Sequence, residues 1–217
     1  MSIGIQYSYE PLVSSVDASF DAMYRIYEES IPASERKQKT QISAMTVNPE
    51  YKILLLKRDN NVIGFSILFT PTNEMFCLLE YMAIQESHRC MGLGEKFFLK
   101  TFKNNVSNGG STIGLLEVDS ERKQSADQKN ALRRQQFYRR VGCLRIDGLS
   151  YVMPLVGGGT PPQMDILVYI PSQSPTIEKH QFKCWLEVIY SKVYGCSHND
   201  PRIAQMIAPL DDPIKFI

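Results

Sequence analysis

A strand that runs into a glycine-bearing turn and straight on into a helix constrains this chain more than any other stretch. Leu78 to Phe102 reads LLEYMAIQESHRCMGLGEKFFLKTF. A strand is predicted over Met75 to Ile84, a turn carries Arg89-Cys90-Met91-Gly92-Leu93-Gly94, and the helix that follows has Leu93, Phe97, Phe98 and Phe102 on its apolar face. The first turn of a helix leaves backbone N–H groups unpaired, and the helix dipole favours negative charge there. Gly92 and Gly94 remove side chains where the backbone must come close to an anion. An ordinary turn between strand and helix accounts for the same glycines; the sharper reading is a phosphate-bearing ligand at a helix N-terminus.

A P-loop would need Gly-Lys-Ser/Thr at the end of its turn, and a dinucleotide fingerprint would need a third small residue where Phe97 stands. Neither pattern is present. R-x-x-G-x-G after a strand, at Arg89 to Gly94, instead resembles the acetyl-CoA pyrophosphate loop of the GNAT N-acetyltransferase superfamily. A second segment, Phe137-Tyr138-Arg139-Arg140-Val141-Gly142-Cys143, resembles that family's F/L-Y-x-x-x-G-F. The two lie in the family's order with a predicted strand between them, and the chain looks like a bacterial branch.

The resemblance covers roughly Ile3 to Ile170. It implies an α/β (α+β) fold: a central mixed, mostly antiparallel sheet splayed between two strands and flanked by helices. Residues 1–170 would form the acyltransferase domain, and 171–217 a helical extension packed on the same domain. Acetyl-CoA would lie between the strand ending at Ile84 and the strand ending at Val118, with the backbone of Met82, Ala83 and Ile84 along the pantetheine arm. Its pyrophosphate would sit on the amides of Cys90, Met91, Gly92, Leu93, Gly94 and Glu95, with Arg89 adding charge. Tyr138 matches the family's tyrosine general acid, since a phenol is protonated at neutral pH and can donate to a departing thiolate. The family's asparagine seven residues before that tyrosine is replaced by Ala131, which puts that contact to the cofactor in doubt.

Two carboxylates stand inside apolar strands, Glu80 in Met75 to Ile84 and Glu117 in Thr112 to Val118. Desolvation makes such positions costly unless the carboxylate is paired, hydrated or useful. An amine attacks a thioester only after losing its proton, and a buried carboxylate can take it. Glu80 is the first candidate for that base and Glu117 the second; either could instead hold the acceptor's positive charge or cap a polar group in the sheet. The implied reaction is transfer of an acetyl group to a primary amine of a small molecule or peptide, a cationic one being favoured. The competing reading is a non-catalytic module of the same fold that binds coenzyme A or a partner protein.

Elsewhere, periodicity predicts a first strand at Ile3 to Tyr9, a helix from Val16 to Ile31 stopped by Pro32, and a shorter helix ending near Val47. Tyr51 to Leu56 and Val62 to Phe69 form a hairpin across Asp59-Asn60-Asn61. Asn108-Gly109-Gly110 makes a turn into the strand with Glu117, and a polar loop spans Asp119 to Lys129. A helix from Asn130 ends at Gly142, strands follow at Leu144 to Met153 and Met164 to Ile170, and Gly157 to Pro162 connects them. Phe182, Trp185, Leu186, Ile189 and Val193 line one face of a later helix, and Asn199 or Asp200 caps a last one that begins at Pro201.

At 217 residues the chain can bury a proper core. A net charge of +1 gives no general reason to expect nucleic acid or an anionic membrane as partner. No apolar run is long enough to span a bilayer and the start does not read as a signal peptide, so a cytoplasmic protein is expected. Five cysteines without a C-x-x-C pair argue against a disulfide framework or a metal site. A homodimer built on the terminal hairpin and the Trp185 helix is left open.

Overall fold

A computed structural model of the chain describes residues 5–103, 113–122, 128–154, 163–171 and 176–217. The turn at Asn108 to Gly110, the connection at Gly157 to Pro162 and the middle of the polar loop lie outside the described residues. The chain divides into two compact units, Met1–Thr72 with Leu78–Gly109, and Asn73–Cys77 with Gly110–Ile217. Together the described residues form a mixed α/β fold of eight strands, mostly antiparallel, and six α-helices.

The first unit contains β1 (Tyr7–Pro11), α1 (Ala18–Ser30), α2 (Lys39–Met45), β2 (Tyr51–Arg58), β3 (Asn61–Phe69), most of β4 (Phe76–Ile84) and α3 (Leu93–Lys103). The four strands follow one another antiparallel in chain order. Asp17 caps α1 by accepting from the Ser19 N–H at 2.7 Å, and Pro32 lies just past its end. The β2–β3 hairpin closes on Asp59 and Asn60, whose φ of 47° and 67° meet the requirement of the two-residue turn that matches strand twist.

Burial on both faces explains why Ile53 to Leu56 is continuously apolar. Ile53, Leu55, Phe65 and Ile67 pack with Phe20, Met23, Ile26 and Tyr27 of α1 and Ile42 and Met45 of α2. Leu54, Leu56, Ile63 and Ile84 pack instead with Leu93 and Phe97 of α3. One irregularity interrupts the β3–β4 ladder. Leu68 faces Leu79 and Ile67 faces Tyr81, so Glu80 is an extra residue bulged out of β4.

The second unit holds the first two residues of β4, then β5 (Ile113–Asp119), α4 (Gln128–Arg140), β6 (Cys143–Arg145), β7 (Tyr151–Val152), β8 (Gln163–Tyr169), α5 (Lys179–Val188) and α6 (Pro201–Ile207). β8 is its central strand, pairing with β5 along one edge and with β6 and β7 along the other. The single strand expected over Leu144 to Met153 is two short ones. Ile146 bridges to Phe216, and the chain then turns at Asp147-Gly148, where Gly148 has φ 72°. α5 buries Phe182, Trp185 and Leu186, runs on through a wider turn at Ile189–Val193 and stops at Gly195 with φ 68°. The Trp185 ring packs on Phe76 at 5.4 Å. Asp200 caps α6, accepting from the Arg202 N–H at 3.0 Å.

Candidate functional site

The first unit builds its candidate site where β4 gives way to α3. After Ile84 the chain makes a single tight turn at Glu86–His88, and the Arg89 Nε donates to the Ile84 carbonyl at 2.8 Å, tying the loop back to the strand it left. Cys90 at φ 61° and Gly92 at φ 72° then place two left-handed residues one apart, just before Leu93 opens α3. Such alternation turns consecutive backbone N–H groups into a concavity that suits an anion. Leu93 and Phe97, both buried, hold the helix start against the sheet, while Cys90 and Met91 are exposed.

One bulge earlier stands Glu80. Its side chain is 3% exposed, and Oε2 pairs with the Lys37 ammonium at 2.5 Å. Its other oxygen, Oε1, is buried and has no hydrogen-bond partner among the described residues. Aromatic rings surround the pair. Lys37 Nζ lies 5.8 Å from the centre of the Tyr81 ring, and the Tyr81 hydroxyl donates to the Glu35 carbonyl at 3.1 Å. The Tyr27 and Tyr81 rings meet edge to face at 5.1 Å. Burial first, and then the negative charge of Glu80, push the Tyr51 phenol well above its ordinary value.

The second unit treats its strand carboxylate differently. Glu117 Oε1 accepts from the Tyr151 hydroxyl and Oε2 from the Tyr194 hydroxyl, so both oxygens are engaged. Burial, then the Glu117 charge, raises the Tyr151 phenol far above its usual range. Tyr190 donates to the Val152 carbonyl beside them. Tyr138, on α4, packs edge-on to Phe137 at 5.1 Å, and burial raises its phenol as well, so it keeps its proton throughout the neutral range. Ala131 is buried in α4, and Asn130 beside it is exposed. Gln135 reaches the Asp119 carbonyl at 2.9 Å and Asp165 Oδ2 at 3.2 Å, and Arg122 pairs with Asp165 Oδ1 at 2.6 Å.

Glu80 and Met82 to Glu95 thus belong to the first unit, and Glu117 and Tyr138 to the second. Sequence reasoning did not single out Lys37, Tyr51, Tyr151 or Tyr194. Lys37 stands in the polar, basic stretch Ser34 to Lys39, and nothing local announces that it meets a carboxylate 43 residues away. Among the described residues no group of three or more His, Cys, Asp or Glu side chains is placed to hold a metal, and no helix is long and apolar enough to cross a membrane.

A profile of the Acetyltransferase (GNAT) family matches residues 20–142, more than half of the chain. The chain belongs to the GNAT acetyltransferase family. Membership makes it an acetyltransferase, and the mixed, mostly antiparallel sheet with its helices is the family's fold. A GNAT-family protein from Bacteroides thetaiotaomicron superposes with a TM-score of 0.69 at 19% identity, covering 88% of this chain and 99% of its own. An aminoglycoside 6'-N-acetyltransferase complexed with coenzyme A gives 0.57 at 14%, over 78% of this chain and 99% of that one. The ribosomal-protein-S18-alanine N-acetyltransferase of Escherichia coli gives 0.51 at 13%, covering 78% and 97%. At these identities the likeness is one of fold. No curated protein matches the sequence.

Proposed function

We propose that this GNAT protein moves an acetyl group from acetyl-CoA to a primary amine of a small molecule or peptide, with Glu80 as the base that prepares the amine. The observation that carries this reading is a carboxylate bulged from β4, buried, facing an ammonium at 2.5 Å and keeping one oxygen unengaged. A carboxylate so placed can hold a cationic acceptor and accept its proton.

The residues after β4 suit the coenzyme. Left-handed Cys90 and Gly92 followed by the start of α3 make a cradle for a pyrophosphate, and nothing beyond its chain neighbours lies within 4 Å of the place a Cβ on Gly92 would take. In this reading the amides of Cys90, Met91, Gly92, Leu93, Gly94 and Glu95 hold that group, Arg89 adds charge, and the backbone of Met82, Ala83 and Ile84 orients the arm. When bound, acetyl-CoA supplies an activated acyl carbonyl. Glu80 removes the proton that keeps the amine from attacking, and Tyr138, held as a phenol, has the proton that a departing thiolate needs. Glu117 is assigned a positioning role, because both of its oxygens already serve tyrosine hydroxyls.

Release of free thiol from acetyl-CoA with a panel of amines tests the reading on wild type, Glu80→Gln and Tyr138→Phe, with coenzyme binding followed by calorimetry. Turnover with a cationic amine that both variants lose while still binding coenzyme supports it. A protein that does not bind coenzyme A overturns it.

A further inference from the structure

Lysines of this protein pair with carboxylates in several places, and one pair differs from the others. Lys39 meets Asp21, Lys57 meets Glu10 and Lys215 meets Asp211, and these carboxylates are 69%, 44% and 60% exposed. Lys183 meets Glu187 one helical turn away, an arrangement common on helix surfaces. The carboxylate of Glu80 is 3% exposed, and the Lys37 side chain is itself mostly covered at 18%. This lysine is also held in place. Its backbone N–H donates to the Tyr27 hydroxyl at 2.7 Å, and Tyr81 fixes the neighbouring Glu35 carbonyl. Its ammonium is therefore held against the proposed base, on the same unit as the proposed coenzyme loop.

We infer that Lys37 is itself an acetyl acceptor, modified by its own chain. The inference rests on the function proposed above. The proton of Nζ passes to Glu80 Oε2, and the freed lone pair attacks the thioester carbonyl carbon. A C–N bond forms, the C–S bond breaks, and the sulfur leaves with the electron pair and takes up a proton. The products are Nε-acetyl-Lys37 and free coenzyme A, with one proton released to solvent. Acetylation removes the positive charge, so the product cannot pair with Glu80, and the modified side chain leaves that carboxylate to a different cation.

The test is incubation of the full chain with acetyl-CoA and no added amine, followed by peptide mass spectrometry. Wild type, Lys37→Arg, Glu80→Gln and the control Lys39→Arg are compared, with circular dichroism for folding and calorimetry for coenzyme binding. One acetyl group on Lys37 is expected, at a rate independent of protein concentration and unaffected by Lys39→Arg. It is absent in Lys37→Arg and slowed by roughly 100-fold or more in Glu80→Gln, the range general-base catalysis supplies. Acetyl groups spread over exposed lysines at a rate unchanged by Glu80→Gln, with Lys37 unmodified, would mark spontaneous chemistry and overturn the inference. Coenzyme binding and turnover of an added amine with Lys37 unmodified overturn the inference alone; absence of coenzyme binding overturns the proposed function with it.

Discussion

The Tyr27 hydroxyl accepts the backbone N–H of Lys37, so α1 fixes the main chain of the residue whose side chain meets Glu80. Replacing Tyr27 with phenylalanine keeps its ring contacts with Phe65 and Tyr81 and removes that acceptor, together with the hydroxyl's own hydrogen bond to the Tyr81 side chain. The loss is expected to cost about 1 kcal/mol, read as a lower denaturant midpoint with an unchanged slope.

Gly92 separates backbone strain from steric collision. A Cβ there has nothing within 4 Å to strike, yet the residue stands at φ 72°. Gly92→Val should therefore destabilise the folded chain through conformation alone, by about 1–2 kcal/mol, and Gly92→Asn by much less. Urea unfolding of the two variants without coenzyme measures the difference.

Tyr151→Phe and Tyr194→Phe each take one donor from Glu117. Each single change is expected to cost about 1–3 kcal/mol, because a carboxylate oxygen loses its partner. The double variant should depart from the sum of the singles, since both act on one group. Urea unfolding of the four proteins closes the cycle.

Much of this architecture could be read from residue spacing, because local pattern determines local structure. The helix of α1 with its stop at Pro32, the hairpin at Asp59-Asn60, the Gly142 and Gly195 terminators and the Asp200 cap each depend on a few neighbouring residues. The loop from Arg89 to Gly94 was legible for the same reason. What escaped was set by long-range pairing. The Glu80 bulge depends on how β4 meets β3, and Tyr194 reaches Glu117 across 77 residues. Leu144 to Met153 looked like one strand because its apolar residues conceal the turn at Gly148, and β8 gives β6 and β7 separate stretches of its edge.

Cys143 provides a pH test. Burial raises its thiol from 9.0 to about 12, so the thiolate is disfavoured in the folded chain. Between pH 7 and 9 a thiol-specific alkylating reagent should modify exposed Cys90 and Cys184 and leave Cys143 until the protein unfolds. The sign for stability follows from the raised value. Above about pH 9 the unfolded chain gives up this proton while the folded chain keeps it, so Cys143 favours unfolding increasingly as pH rises toward 12. Cys143→Ala, compared with wild type at pH 7 and pH 10, should narrow that dependence.

Trp185 is 1% exposed and packed on Phe76. Trp185→Ala should destabilise by about 3–5 kcal/mol, seen as a large fall in melting temperature.

Glu80 is the residue by which β4 exceeds its partner strand. Deleting it outright would leave Leu79 opposite Leu68 and Tyr81 opposite Ile67, with every later side chain still facing the side it faces now. Deleting a residue from a regular part of the strand would turn those side chains over. The carboxylate is therefore a passenger on the sheet rather than one of its structural members. This strand could lose its acid, or exchange it, without rebuilding either apolar layer, and its chemistry is free to change on a timetable separate from that of its architecture.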